Sequence, residues 1–288
     1  MFLGDEKVTM NIIGLGTAGC NIAQKFSQHP QYDVFLIDTI KREGTSLRLA
    51  KKDGHEAYEG ESKLRTSFFQ KIKGECLFVV CGAEAISGLA LRILEKFSGS
   101  KIEILYIKPD VSLLPEIKRL QERATFNVLQ QYARSGLFEK MYVIENIRLE
   151  NILGEVQIIG YHDKLNDLLV STMHMINIYK RSDSEMDTFS SSLPTARIST
   201  IGVVDYETGE EKLFYDIQLP REKMYFYAIN REQLATDGTL FKKIKTQIKS
   251  QIADDQLKVS YGVFSTEYPE NYVYSVVSAS LIQEQKIN

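Results

Sequence analysis

The sequence predicts an α/β fold: a Rossmann-like parallel-sheet nucleotide domain, a long central helix, then an α+β domain with a mixed sheet. Three observations predict it. A glycine-rich turn, Gly14 to Gly19, lies between an apolar strand and a helix. The run Cys76-Leu77-Phe78-Val79-Val80-Cys81 has no polar alternation, the mark of a strand buried on both faces. Strand-like and helix-like segments alternate through the first half, and strands dominate the last third.

In order, Val8 to Ile13 reads as a first strand, and Asn21 to Gln28 as the helix after the glycine turn. Tyr32 to Ile37 and Cys76 to Cys81 are further strands, with a helix over Leu89 to Phe97. Ile102 to Ile107 is a strand, Pro115 to Tyr132 a helix rich in Leu, Glu, Lys and Arg, and Met141 to Ile144 a strand. One long helix is expected over Glu155 to Asn177, because Ile158, Ile159, Leu165, Leu168, Leu169, Met173 and Ile176 recur at helical spacing. A polar stretch, Lys180 to Ser192, follows it. Strands are then expected over Ala196 to Tyr206, Lys212 to Ile217, Lys223 to Ile229, Gln256 to Ser265 and Tyr272 to Ile282, with one amphipathic helix from Gly238 to Ile252. The domain division expected is 1–177 and 178–288.

Composition excludes several classes. A formal net charge of -3, with 43% hydrophobic and 25% charged residues, is an ordinary globular balance. It gives no general attraction to nucleic acid or anionic lipid. Lys242-Lys243-Ile244-Lys245 is the nearest basic run and fits a solvated helix face. Cys20, Cys76 and Cys81 are odd in number and form no CxxC, so neither a disulfide framework nor a structural zinc site is expected. The acidic start, Met1 to Lys7, lacks the apolar core of a signal peptide, and no apolar run is long enough to span a bilayer. A cytoplasmic protein without a bound structural metal is expected.

Gly14-Leu15-Gly16-Thr17-Ala18-Gly19 is a GxGxxG between strand and helix. Glycines let the backbone approach phosphate, and the helix N-terminus offers free N–H groups and a positive dipole end. A tight turn without ligand is the plain alternative. By itself the motif points to an NAD site, and Asp38 stands at the end of the second strand, where a ribose-binding acid belongs. No GxxxxGK[ST] loop occurs.

Gly16-Thr17-Ala18-Gly19-Cys20-Asn21 resembles the first phosphate loop of the tubulin/FtsZ superfamily, Gly-x-x-Gly-x-(Asn/Gln). Four further segments resemble the family in order: Phe78 to Gly82, Val143 to Leu149, Tyr161 to Met173 and Val259 to Ile282. The resemblance implies GTP or GDP as ligand, with Mg²⁺ as its companion ion. It gives Gly14, Gly16, Thr17, Gly19, Cys20 and Asn21 to the first phosphate loop, with Asn21 reaching base or sugar. It gives Asn146 to the base or ribose, and Asp163 and Asn166, three apart on one helix face, to the guanine edge. Tyr161 or His162 would stack on the base. It also implies assembly of the chain with itself, head to tail, into cytoskeletal filaments.

Departures from the family pattern carry expectations too. The family's GGGTG(T/S)G loop corresponds to Gly82-Ala83-Glu84-Ala85-Ile86-Ser87-Gly88, where only Gly82, Ser87 and Gly88 fit. A glycine-poor loop restricts backbone approach, and a carboxylate near phosphate repels it. Glu84 therefore points away, helps hold Mg²⁺, or weakens or abolishes nucleotide binding. The family's hydrolytic acid, which reaches the neighbouring subunit's nucleotide, has its best partial match in Asp183 and Asp187, so hydrolysis is expected to be slow or lost. The family's C-terminal adaptor-binding tail has no counterpart. A non-catalytic structural relative and an NAD-dependent enzyme are the alternatives.

Overall fold

The computed structural model describes residues 10–61, 64–97, 100–252 and 255–284. Val8 and Thr9 of the expected first strand, and the acidic start, lie outside them. The first half is a parallel sheet of β1 (Met10–Leu15), β2 (Tyr32–Asp38), β3 (Thr45–Arg48), β4 (Glu75–Cys81), β5 (Lys101–Lys108) and β6 (Lys140–Glu145). The strand order is β3-β2-β1-β4-β5-β6, and every neighbouring pair is parallel. The apolar runs become central strands because their alternate residues serve two cores. Phe78 and Val80 face one side with Tyr58, Phe68 and Phe126. Leu77 and Val79 face the other with α1 (Gly16–Phe26) and α7 (Tyr161–Tyr179).

The sheet continues without a break. β8 (Ile198–Val204) joins β6 in parallel through Met141↔Ile198 and Tyr142↔Ser199. β12 (Tyr272–Ala279), β10 (Pro220–Asn230), β11 (Lys258–Thr266) and the short β7 (Met186–Asp187) follow, and β9 (Glu211–Leu213) pairs with β8. Together they make a mixed 12-stranded sheet. On it α7 packs one face across both halves, and α9 (Leu240–Gln251) covers Tyr225, Tyr227 and Ile229 on the other.

Several expected boundaries move. The first helix starts at Gly16, five residues before Asn21, because the turn glycines themselves take helical hydrogen bonds. The long helix starts at Tyr161. Gly154 and Gly160 adopt φ of 75° and 80°, which stops α6 (Asn146–Leu153) and delays α7. Ile158 and Ile159 share the helical spacing by chance and lie 93% and 92% exposed in the loop between. The helix over Leu89 to Phe97 is a short α4 (Ala90–Leu94) between two 3₁₀ turns, Ala85–Leu89 and Glu95–Phe97. The strand over Lys212 to Ile217 ends at Leu213; Phe214 still donates to the Ile201 carbonyl at 2.9 Å, and Tyr215 and Ile217 are buried beyond it. The last strand stops at Ala279 rather than Ile282. Short α2 (His55–Glu59), α3 (Thr66–Phe69) and α8 (Arg231–Thr236), with α5 (Glu116–Arg134) and a third 3₁₀ turn, Val111–Leu113, complete the helices of the described residues.

Candidate functional site

A doubly wound sheet opens a crevice where its strand order reverses, because the loops there leave in opposite directions. In this chain the reversal falls between β1 and β4. The β1–α1 turn supplies one wall. Gly16 has φ of 75°, which turns the chain into the helix. Gly19 allows α1 to lie on the sheet: a Cβ there would stand 2.6 Å from the Val79 carbonyl oxygen. Cys20 is fully buried under the turn, its thiol directed to the carbonyl of Gly14 at 3.3 Å, and burial raises it to about 12. The first free amides of α1, Thr17 N and Ala18 N, point into the crevice.

Those amides already hold an anion. Glu84, from the β4 loop, accepts from Thr17 N through Oε2 and from Ala18 N through Oε1, both at 2.7 Å. The two bonds pull the Glu84 carboxyl down in pKa, but burial is the larger effect and leaves it raised, with nearby Asp38 adding to the rise. The rest of the loop turns inward. Ser87 is buried and donates to the Gly82 carbonyl at 3.0 Å, with Thr125 Oγ1 at 3.2 Å. Gly82 packs against the Tyr106 hydroxyl and Gly88 against the His55 carbonyl. Ile86 and Leu89 enter the core.

A second cluster closes the rim. Arg42 donates from Nε to Asp38 at 2.8 Å and from Nη1 to Asn21 Oδ1 at 2.7 Å, and Nη2 lies 3.3 Å from the Thr17 carbonyl. Asp38 is 2% exposed and also accepts from Thr39 N. Neither Arg42 nor the direction of Glu84 was foreseen. Arg42 follows Asp38 by four residues in a loop, where no periodicity flags a pairing.

The α7 residues lie further along the same face. Lys25 of α1 ties down its acids, with Asp167 at 2.6 Å and Asp163 at 3.6 Å. Tyr161 donates to Glu150 at 2.8 Å, His162 is exposed, and Asn166 is half-buried. Asn146 opens α6 directly after β6, beside Glu145, which pairs with Lys108 at 3.5 Å. Lys25 is in the last turn of α1, so Asp163 and Asp167 meet the end of that helix away from Thr17 and Ala18.

Asp183 and Asp187 lie elsewhere. The last turn of α7 meets the beginnings of the strands: Asn177 donates to Tyr32 at 3.4 Å, and Arg181 pairs with Glu75. A 19-residue helix is roughly 28 Å long at about 1.5 Å per residue. The segment after it is thus at the opposite pole from Thr17 and Glu84. There Asp187 lies in β7 against Gly262 of β11, accepting from Phe189 N at 3.1 Å and from Ser184 Oγ. Asp183 is exposed.

No protein-family profile matches the chain and no curated protein matches it in sequence. Solved structures match it in fold. It is similar to an empty FtsZ dimer of M. jannaschii, at 13% identity and a TM-score of 0.70, over 96% of this chain and 90% of that one. It is similar to the GTPγS-form protofilament of TubZ from Bacillus thuringiensis serovar israelensis, at 14% identity and a TM-score of 0.71, over 96% and 88%. It is also similar to the GDP-bound monomer of CetZ1 from Haloferax volcanii, at 14% identity and a TM-score of 0.66, over 95% and 94%. At such identities the likeness is one of fold.

Proposed function

We propose, from the premise that this chain has the tubulin/FtsZ fold, that it assembles head to tail with copies of itself into cytoskeletal filaments, takes a guanine nucleotide in the β1/β4 crevice, and hydrolyses it slowly. The observation that carries the proposal is the opposition of two poles. The amide cradle of Thr17 and Ala18 lies past the end of β1, whereas the acidic segment Asp183 to Asp187 follows a helix end that meets the beginnings of β2 and β4. One chain cannot bring them together; a second copy stacked on the first can. Such a heterologous contact does not close on itself and propagates as a filament. The division into a nucleotide part, 1–177, and an assembly part, 178–288, belongs to the same proposal, as does a cytoplasmic setting, which the three free thiols suit. Among the described residues no helix is long and apolar enough to cross a membrane.

The fit of the nucleotide is conditional. With Glu84 in the cradle, the two amides that would meet a phosphate are taken, and Ser87 is turned into the core. The residues fit a guanine nucleotide only with that carboxylate displaced. Glu84 is likewise committed to backbone amides rather than to Mg²⁺, so the ion's oxygens would come mainly from phosphate and water. Asn21, Asn146, Asp163, Asn166 and Tyr161 are the residues offered to base and ribose. Asp38, which an NAD site would need for the ribose, and Asn21 are both held by Arg42. Assembly without nucleotide, as a structural relative, draws its support from the seated Glu84.

Sedimentation and electron microscopy of the full chain, with GTP, ATP, NAD or nothing, with Mg²⁺, test the reading. Filaments with GTP are expected, with GTP favoured over ATP. Filaments of equal yield without nucleotide would favour the structural relative. A protein that stays monomeric at high concentration in every arm would refute self-assembly.

A further inference from the structure

We propose that Glu84 is a built-in competitor of the nucleotide: its carboxylate occupies the place of a phosphate on Thr17 N and Ala18 N, and nucleotide enters only as that side chain leaves. The inference deepens the nucleotide reading above and rests on it.

The seat is matched to the side chain. Each carboxylate oxygen meets one amide at 2.7 Å, a bidentate arrangement in which neither amide is left to accept a second anion well. The amides belong to the first turn of an 11-residue helix, whose positive end favours one negative group. A phosphate brought to the same amides would meet a carboxylate at contact distance, where like charges repel strongly. Gly16 is shaped for this occupant: a Cβ there would lie 2.3 Å from Glu84 Oε2. The glycine that opens the turn thus makes room for Glu84 as well as for a ligand.

The latch can open without unfolding the loop. The backbone of the loop is anchored independently, by Ser87 on the Gly82 carbonyl, by Ser87 N on the Glu84 carbonyl at 2.9 Å, and by Ile86 and Leu89 in the core. Glu84 itself is half-buried at the solvent edge. Rotation of one side chain clears the amides. The arrangement also explains why a chain with so few glycines in this loop keeps the cradle open in backbone shape: the carboxylate satisfies its otherwise orphaned amides.

The test compares wild type, Glu84→Ala and Glu84→Gln as full-length folded proteins, checked by circular dichroism. Two probes are used: a fluorescent GTP analogue with Mg²⁺, and inorganic phosphate followed by thermal shift. Glu84→Ala should bind the GTP analogue at least about tenfold more tightly than wild type, the equivalent of one charge-assisted hydrogen bond no longer contested. Glu84→Gln, which keeps the shape and loses the charge, should fall between. Phosphate should raise the melting temperature of Glu84→Ala and leave wild type unmoved. Equal affinities for wild type and both variants would overturn the competitor role and leave the nucleotide reading standing. Failure of all three folded proteins to bind at millimolar concentrations would overturn both.

Discussion

Lys140 offers a direct measurement of how firmly the two halves of the sheet are joined. It is the first residue of β6, 9% exposed, and it faces Glu222 of β10 at 3.9 Å and Ser278 of β12 at 3.3 Å. Glu222 is 1% exposed; neither of its oxygens makes a well-directed hydrogen bond, although Lys258 stands 3.1 Å away. Burial, then repulsion from Lys180, pushes Lys140 down to about 8, with Glu222 opposing. Between about 8 and the ordinary 10.5 the unfolded chain binds more protons than the folded one, so stability rises with pH across that window. Below it the fold carries a charge penalty, about 3 kcal/mol at roughly 1.4 kcal/mol per pH unit.

Lys140→Met keeps the chain length and removes the titration. Two effects then oppose one another at neutral pH. The variant loses the desolvation penalty, and it leaves Glu222 with Lys258 alone, which for a buried pair costs about 3–5 kcal/mol. The absolute change is therefore modest, and the pH dependence is the sharper readout. From pH 7 to 9.5 wild type should gain about 2 kcal/mol relative to Lys140→Met, measured by urea denaturation at low protein concentration. Parallel pH profiles for the two proteins would refute the argument that this ammonium is desolvated at the seam. The result bears on the proposed assembly, because two residue pairs of backbone register join β6 to β8.

Two further outcomes are expected. Gly19→Ala should lower the melting temperature even without nucleotide, because its Cβ would strike the Val79 carbonyl, and overpacking of this kind costs about 1–3 kcal/mol; an unchanged melting temperature would show that α1 can lift off the sheet freely. His174 stacks on His29 with ring centroids 3.7 Å apart, and burial, then repulsion from His29, lowers it to about 4. Its neutral form is built into the fold, so its contribution is complete above about 6.5 and is lost as pH falls through about 4. A ring titration followed by nuclear magnetic resonance should have its midpoint near 4, and a midpoint at 6 or above would contradict the packing argument.

What the sequence disclosed depended on whether a signal was local. The central strand Cys76 to Cys81 was legible because burial on both faces leaves a continuous apolar run, and β4 indeed serves two cores. The turn after β1 was legible because glycine spacing is a backbone requirement written in adjacent residues. The start of α7 was not, because Ile158 and Ile159 happen to continue its apolar stripe, while Gly154 and Gly160 break the helix through a positive φ that apolar spacing does not register. Phe214 to Ile217 read as a strand for the same reason: burial and β-propensity are local, whereas backbone bonding to β8 that ends at Phe214 is not. The site shows the limit most clearly. GxGxxG predicts a turn with free helix amides suited to phosphate, and in the structure Thr17 N and Ala18 N donate to the Glu84 carboxylate. The motif cannot state whose anion. The occupant here comes from 67 residues away in the chain, on a loop where Glu84 stands among few glycines. That loop extends a side chain to the amides across the crevice, a pairing that spacing within either segment does not announce.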